Sequence, residues 1–333
     1  MKPDYLLHMP PSSPRPLIVR LRNWVGDVTL GLPLLQRLAR EGHELTLLGK
    51  GWARDLLAGQ GWPVHVLPKT ATERVRLLRR LRAQAVLRDE SFGRRINALC
   101  LPDSFSSALE FRLAGLRALG HAWEGRSLLL GRAVARERGV HELKVYWALG
   151  NNLLGRPAPL PEHISLQPTA AQVAQAQALR AANGIERGCV VICPFAGGTW
   201  NQQDKTWPAF AEFVQRALPA LGRTVVVCPG PGQEEQVARA QFPSARLLPG
   251  VDLGVFAALL KDASLMVSND TGPGHLAAAV GTPLVSVMGP SDPTLWHPWG
   301  PQVQVLGGNG TWPEMAAVLQ AAKRALSGTP APG

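Results

Sequence analysis

The chain has 333 residues, 46% hydrophobic and 18% charged, with a net charge of +11 and a mean hydropathy of zero. That composition excludes collagen-like, coiled-coil and wholly disordered chains, and the length allows two domains of roughly 150 residues whose cores need no disulfide staples. All of the excess positive charge lies in residues 1–164, with 25 Lys and Arg against 14 Asp and Glu, whereas residues 165–333 carry 10 of each; a basic half points to an anionic partner, and a neutral half argues against a protein devoted to nucleic acid.

The opening MKPDYLLHMPPSSPRP holds no apolar run of leader length, and no segment of the chain approaches the roughly 18 apolar residues of a membrane span. A cytoplasmic protein is therefore expected. PLIVRL (16–21) predicts a strand. The next segment, NWVGDVTLGLPLLQRL, turns at Gly26 into a helix that ends near Arg40. Proline fits the first helical turn, so Pro33 would start the regular helix at about residues 29–32 and leave Asp27 on the preceding loop. HELTLLG (43–49) and VHVLP (64–68) predict further strands. RVRLLRRLRAQAVL then sets Leu77, Leu78, Leu81 and Ala85 on one helix face and Arg76, Arg79, Arg80 and Arg82 around the other. From Lys69 to Arg95 there are nine basic residues and three acids. Such a face is either simply solvated or a surface for phosphates, nucleic acid or an acidic membrane leaflet. No aromatic interleaving or zinc-finger spacing supports nucleic acid.

Pro157, Pro159, Pro161 and Pro168 crowd a stretch that cannot be a helix or a central strand, and the charge balance changes there. It divides the chain into residues 1–156, a linker at 157–168 and residues 169–333. Beyond it, CVVICPF (189–195), TVVVCPG (224–230), SLMVSND (264–270) and PLVSVMG (283–289) predict buried strands, with helices at 206–220, 232–242, 254–262 and 272–280. Strands alternating with helices in both halves predict an α/β protein of two parallel sheets, with a cleft at the C-terminal strand ends. A single glycine followed by an acid stands where an NAD-binding turn would carry G-x-G-x-x-G, which argues against a nicotinamide dehydrogenase. Cys100, Cys189, Cys193 and Cys228 lack metal-ligand spacing and read as core thiols, so no metal site is expected.

Four constellations carry chemistry. Asp27 is either a helix cap or a carboxylate placed to take a proton from a hydroxyl. In PFAGGTWNQQDKTWPAF (194–210), Gly197, Gly198 and Thr199 form a loop whose N–H groups can approach an anion, ahead of a helix beginning near Trp207-Pro208. Lys205 beside it is either solvated or meets a phosphate. In SNDTGPGHLAAAV, Asp270, Thr271 and Gly272 lead into a second helix N-terminus, with His275 on its first turn either donating to a phosphate or buttressing the loop. In CPGPGQEEQVARA, Glu234 and Glu235 either suit the helix dipole or accept from a ribose.

Gly26-Asp27 before a Leu/Pro helix, the DKTWP and GPGQEE segments and D-T-G-x-x-H-L-A-A-A follow the order of glycosyltransferase family 9, the lipopolysaccharide heptosyltransferases, which this chain resembles over nearly its whole length. The resemblance implies a GT-B architecture, two Rossmann-like doubly wound domains facing a cleft. The N-terminal domain would take the acceptor, with Gly26, Arg76, Arg79 and Arg80 on that side. The C-terminal domain would take a nucleotide-sugar donor, ADP-heptose, at Gly197, Gly198, Thr199, Lys205, Glu234, Asp270, Thr271, Gly272 and His275. Glu235 replaces Glu234 if the register slips. The implied transfer is inverting and needs no metal or cofactor, with Asp27 as general base and Lys205 neutralising the leaving diphosphate. The implied acceptor is an anionic glycolipid, with peripheral contact at the inner leaflet of the cytoplasmic membrane and no role for nucleic acid. One departure stands out: Trp200-Asn201-Gln202-Gln203 occupy positions where the family commonly has Thr or Ser hydroxyls, leaving Thr199 as the nearby one. A GT-B sugar-nucleotide epimerase, or a non-catalytic module for a nucleotide or an anionic surface, would share these features.

Overall fold

The computed structural model describes residues 15–230 and 232–328; the first 14 residues, on which the expectation of no leader rests, lie outside them. Among the described residues the strands are β1 (Arg15–Arg20), β2 (His43–Gly49), β3 (Val64–Val66), β4 (Ala98–Cys100), β5 (Ala118–Ala122), β6 (Arg132–Ala135), β7 (Val190–Cys193), β8 (Thr199–Trp200), β9 (Gln203–Asp204), β10 (Val225–Val227), β11 (Arg246–Leu247), β12 (Leu265–Asn269), β13 (Leu284–Met288) and β14 (Val303–Gly307). The helices are α1 (Val25–Arg40), α2 (Trp52–Leu56), α3 (Ala71–Arg88), α4 (Phe105–Leu113), α5 (Glu142–Leu154), α6 (Ala170–Ala182), α7 (Phe210–Glu212), α8 (Gln233–Gln241), α9 (Leu253–Lys261), α10 (Gly272–Val280), α11 (Pro293–Trp296) and α12 (Met315–Ser327).

Two six-stranded sheets result, β3-β2-β1-β4-β5-β6 and β11-β10-β7-β12-β13-β14, and every neighbouring pair in them is parallel. Both follow the doubly wound order in which direction reverses between the first and fourth strands, β1/β4 in one sheet and β7/β12 in the other. That reversal opens a crevice at the C-terminal strand ends. The central strands are apolar on both faces: Leu17, Ile18 and Val19 of β1 and Val190, Val191 and Ile192 of β7 are all buried. Parallel strands covered on both sides require that composition. Helices α3 and α4 cover the outer face of the first sheet through Leu77, Leu78, Leu81 and Phe111. Phe210, Phe213, Val214 and Val318 cover the outer face of the second. Between the sheets a single continuous core joins α1, α5, α9 and α10.

The proline-rich stretch carries no helix or strand from residue 157 to 168, yet it is strapped to both halves. Gln36 donates to the Ser165 carbonyl at 2.7 Å, the Leu166 N–H to the Ala279 carbonyl at 2.8 Å, and Trp299 to the Pro161 carbonyl at 2.8 Å.

Three local expectations are corrected. Helix α1 starts at Val25 and keeps Pro33 in its interior, so Asp27 is in the first helical turn and not on a loop. Leu30, Leu32, Leu34, Leu35 and Leu38 of this helix are buried, and their packing outweighs the hydrogen bond a proline forfeits. The helix expected over 206–220 begins at Phe210 and is irregular, with a π turn at Phe213–Ala217 and a 3-10 turn at Leu218–Leu221; Pro219 removes a donor there. The segment before it is a hairpin, β8–β9, turning on Asn201 and Gln202 at φ of 47° and 66°. Two consecutive left-handed residues are the geometry of a tight two-residue hairpin.

Gly59 tests how firmly the linker is seated, since a Cβ there would lie 1.7 Å from the Gln167 carbonyl oxygen. Gly59→Ala is expected to lower unfolding free energy by about 1–3 kcal/mol, as overpacking does, in a denaturant titration; wild-type stability would show the strap to be loose.

Candidate active site

The cleft forms where the first turns of α1 and α10 meet. Its cavity of about 480 Å³ is lined from the first half by Trp24, Val25, Gly26 and Asp27, and from the second by the loops after β7, β10 and β12. Small residues permit this approach. A Cβ on Gly26 would sit 2.8 Å from the His275 ring, and one on Gly272 would sit 2.8 Å from Val25 Cβ. Both helix N-termini thus point into one space, bringing unpaired N–H groups and the positive ends of two helix dipoles.

Asp27 is held by groups that sequence reading did not single out. Tyr146 of α5 donates to its Oδ1 at 2.8 Å, and Arg22 Nε lies 3.3 Å from the same oxygen. Arg22 also pairs with Asp103 and Glu142 at 3.2 Å each, and Arg136 pairs with Glu142 at 2.6 Å. Burial is the largest influence on Asp27 and raises its pKa above 3.8; Arg22 and Tyr146 oppose it, and Glu142 and Asp103 add to it. Burial works against the Arg22 charge, but Tyr146, Asp27 and Asp103 outweigh it and leave the Arg22 pKa raised. The carboxylate is therefore poised to accept a proton more readily than a solvated aspartate.

Across the cleft, Lys205 Nζ donates to the Asp270 carbonyl at 2.9 Å and lies 3.3 Å from its carboxylate. Ser291 donates to the same carboxylate at 2.5 Å. Asn269 ties the neighbouring loops together, accepting from the Trp207 N–H at 3.1 Å and donating to the Pro194 carbonyl at 2.6 Å. Thr271 is the N-cap of α10, and its side chain makes no capping bond among the described residues. Pro273 has no N–H and the Gly274 N–H is bonded to the Thr271 carbonyl at 3.1 Å, so what this helix start offers an anion is the Gly272 N–H and the positive end of the dipole.

His275 is buried, which pushes its pKa down to about 4 despite Asp270. The ring is therefore neutral at pH 7, packs against Gly26 and lines the cleft. Glu234 lines the cleft and accepts from the Gly230 N–H at 2.7 Å, whereas Glu235 pairs with Arg239 on the same helix. Gly197, Gly198, Thr199 and Trp200 complete the wall. Arg76, Arg79 and Arg80 are not among the lining residues; they are exposed on α3. Cys193 and Cys228 also line the cleft, and burial raises the Cys193 thiol to about 12 and Cys228 still further. Among the described residues no cluster of His, Cys, Asp and Glu could hold a metal ion.

A family model for glycosyltransferase family 9 (heptosyltransferase) matches residues 74–323. The chain is 26% identical over 311 residues to lipooligosaccharide heptosyltransferase 2 of Haemophilus ducreyi, covering 85% of this chain and 86% of that one. It is 36% identical over 124 residues to lipopolysaccharide heptosyltransferase 3 of Escherichia coli, a match spanning 35% of each chain. Among solved structures, the E. coli ADP-heptose lps heptosyltransferase II superposes with a TM-score of 0.76 at 25% identity, covering 94% of this chain and 98% of that one. The two parallel sheets are thus those of a GT-B fold.

The raised pKa of Asp27 has a consequence for stability. The folded state binds this proton more tightly than the unfolded chain, so the group costs stability at neutral pH, and that cost disappears below the unfolded value. Asp27→Asn should therefore melt at a higher temperature than wild type at pH 7, with the difference vanishing as pH falls below about 4. A variant less stable at pH 7 would show that the Arg22 and Tyr146 contacts outweigh burial.

Proposed function

The chain belongs to glycosyltransferase family 9, and from that premise we propose that it transfers heptose from ADP-heptose, with inversion, to a hydroxyl of a lipopolysaccharide-core acceptor. The observation that carries this reading is the convergence of Asp27, from the first domain, with the Lys205–Asp270 pair, from the second, in one cleft. A single displacement needs a base on one face of the sugar and charge stabilisation for the departing group on the other. The acceptor oxygen attacks the anomeric carbon opposite the diphosphate. Its proton passes to the Asp27 carboxylate, and the electron pair of the breaking C–O bond leaves with ADP.

Each neighbour has a part in this step. Tyr146 and Arg22 fix the orientation of Asp27, while burial keeps its proton affinity high. Lys205 and the positive N-terminal end of α10 take up charge on the leaving diphosphate, which is how the reaction would proceed without a metal. Asp270, its carboxylate bonded by Ser291, holds Lys205 in place, with Thr271 and Gly272 beside it to meet donor oxygens. Gly197, Gly198 and Thr199 would close over the phosphates, and the second carboxylate oxygen of Glu234 would accept from a ribose. The proposed acceptor is an anionic glycolipid, so the enzyme would work in the cytoplasm at the inner leaflet. Among the described residues no helix is long and apolar enough to cross a membrane, and contact would be peripheral.

Asp27→Asn is the direct test. It should lower kcat by about 10²–10⁴, the usual worth of a general base, while ADP affinity stays within about twofold. Undiminished transfer would remove Asp27 from the chemistry.

A further inference from the structure

The arginine-rich helix lies outside the cleft, and its surroundings give it a second use. Helices α3 and α4 pack side by side on the outer face of the first sheet, and each turns a strip outward. On α3 the exposed strip carries Arg76, Arg79, Arg80 and Leu87. On α4 the residues Phe105, Leu109 and Leu113 recur every four positions, so three apolar side chains share one side of the helix. Phe105 and Leu113 are exposed and Leu109 is half-buried. The two strips adjoin, because Arg79 donates to the Leu113 carbonyl at 3.1 Å. Leu128, in the short turn Arg126–Leu129 packed against α4, stands out 91% exposed.

The distribution of such side chains is one-sided. Among the described residues the exposed large hydrophobics are Trp24, Val66, Leu87, Phe105, Leu113 and Leu128. All six belong to the half that carries the +11 charge. A merely solvated basic face gives no reason for leucines 87% and 91% exposed. The guanidinium groups of Arg76, Arg80 and Arg112 make no ion pair or hydrogen bond among the described residues, whereas Arg74 and Arg88 of α3 pair with Glu110 and Glu44.

We propose that the outer α3–α4 face docks on an anionic phospholipid bilayer, with Arg76, Arg79, Arg80 and Arg112 at phosphate headgroups and Leu87, Phe105, Leu113 and Leu128 at the acyl boundary. Basic residues interleaved with exposed apolar ones are the composition of an interfacial surface, and nucleic acid would leave the apolar members unused. This deepens the reading of the acceptor as a membrane-anchored glycan and rests on it for the choice of a lipid surface. The placement suits that acceptor. Helix α3 follows β3 and α4 follows β4, so both begin at the C-terminal strand ends of the first sheet, the end from which Asp27 enters the cleft. Phe105 is two positions from Asp103, which pairs with Arg22 at 3.2 Å beside Asp27. A bilayer on this face brings a lipid-anchored glycan to the cleft edge.

The test is vesicle flotation, with phosphatidylethanolamine–phosphatidylglycerol vesicles against phosphatidylcholine alone. The wild type should float with the anionic vesicles and lose binding as salt rises. The triple variant Arg76→Ser/Arg79→Ser/Arg80→Ser should partition on the order of a hundredfold more weakly, from a factor of about five per charge. Phe105→Ser/Leu113→Ser/Leu128→Ser should also bind more weakly but keep the wild-type salt dependence. Stabilisation by ADP, unchanged in both variants, reports that fold and donor site are intact, so the outcome is read independently of whether transfer occurs. A wild type that ignores anionic vesicles, that binds neutral ones equally, or that prefers duplex DNA would overturn the proposal. So would either variant floating like the wild type.

Discussion

Helices α1 and α10 belong to the two different sheet-bearing halves of the chain and meet at their N-termini, closer than any side chain larger than hydrogen would allow at Gly26 and Gly272. Gly26 lies under the His275 ring and Gly272 lies against Val25. This contact sets the width of the cleft and aims two helix dipoles into it. It also decides which residues face one another, since Asp27 follows Gly26 and Asp270-Thr271 precede Gly272. The sheets on either side act as rigid supports, each delivering its functional residues at the point where strand order reverses. A side chain at Gly26 would displace His275 and with it the register between Asp27 and Lys205.

Electrostatics inside the cleft follow from how the charges are grouped. Asp27, Asp103 and Glu142 share Arg22 and Arg136, an excess of one carboxylate in a mostly buried network. Burial raises the Asp27 pKa against the pull of Arg22 and Tyr146, with Glu142 and Asp103 adding to the rise, which suits a proton acceptor. On the donor side Lys205 is engaged by Asp270, so a diphosphate would compete for a lysine already held in position. Neutral His275 fills space beside it without adding charge. Asp27 and Lys205 are thus kept in separate environments, one acid-rich and one dipole-rich.

Much of this was legible in the sequence. The alternation of strands and helices predicts both sheets, with His43–Gly49 recovered to the residue and Gly272–Val280 likewise. The glycine-containing loops at strand ends point to the cleft, because small residues and helix starts there have few other physical uses. What was not legible depended on tertiary packing. Pro33 misplaced the start of α1 because local propensity cannot anticipate how many leucines the helix buries. Tyr146 lies 119 positions from Asp27, and no periodicity links them; its phenol, one of only two in the chain, was a faint signal within an apolar helix. Arg22 reads as one basic residue among many until β1 is seen to deliver it to the cleft. The hairpin at Thr199–Asp204 was hidden because Asn201-Gln202 lacks the glycine that usually marks such a turn.

The central claim is that the second domain grips a nucleotide diphosphate through Lys205 and the start of α10. Comparing thermal stabilisation of wild type and Lys205→Ala by ADP and by adenosine tests it directly. The account predicts that ADP at a hundredfold excess over its dissociation constant adds about 2.7 kcal/mol to the wild type, and that the variant loses most of the ADP effect while responding to adenosine as the wild type does. Equal losses for ADP and adenosine, or a variant that binds ADP undiminished, would contradict it.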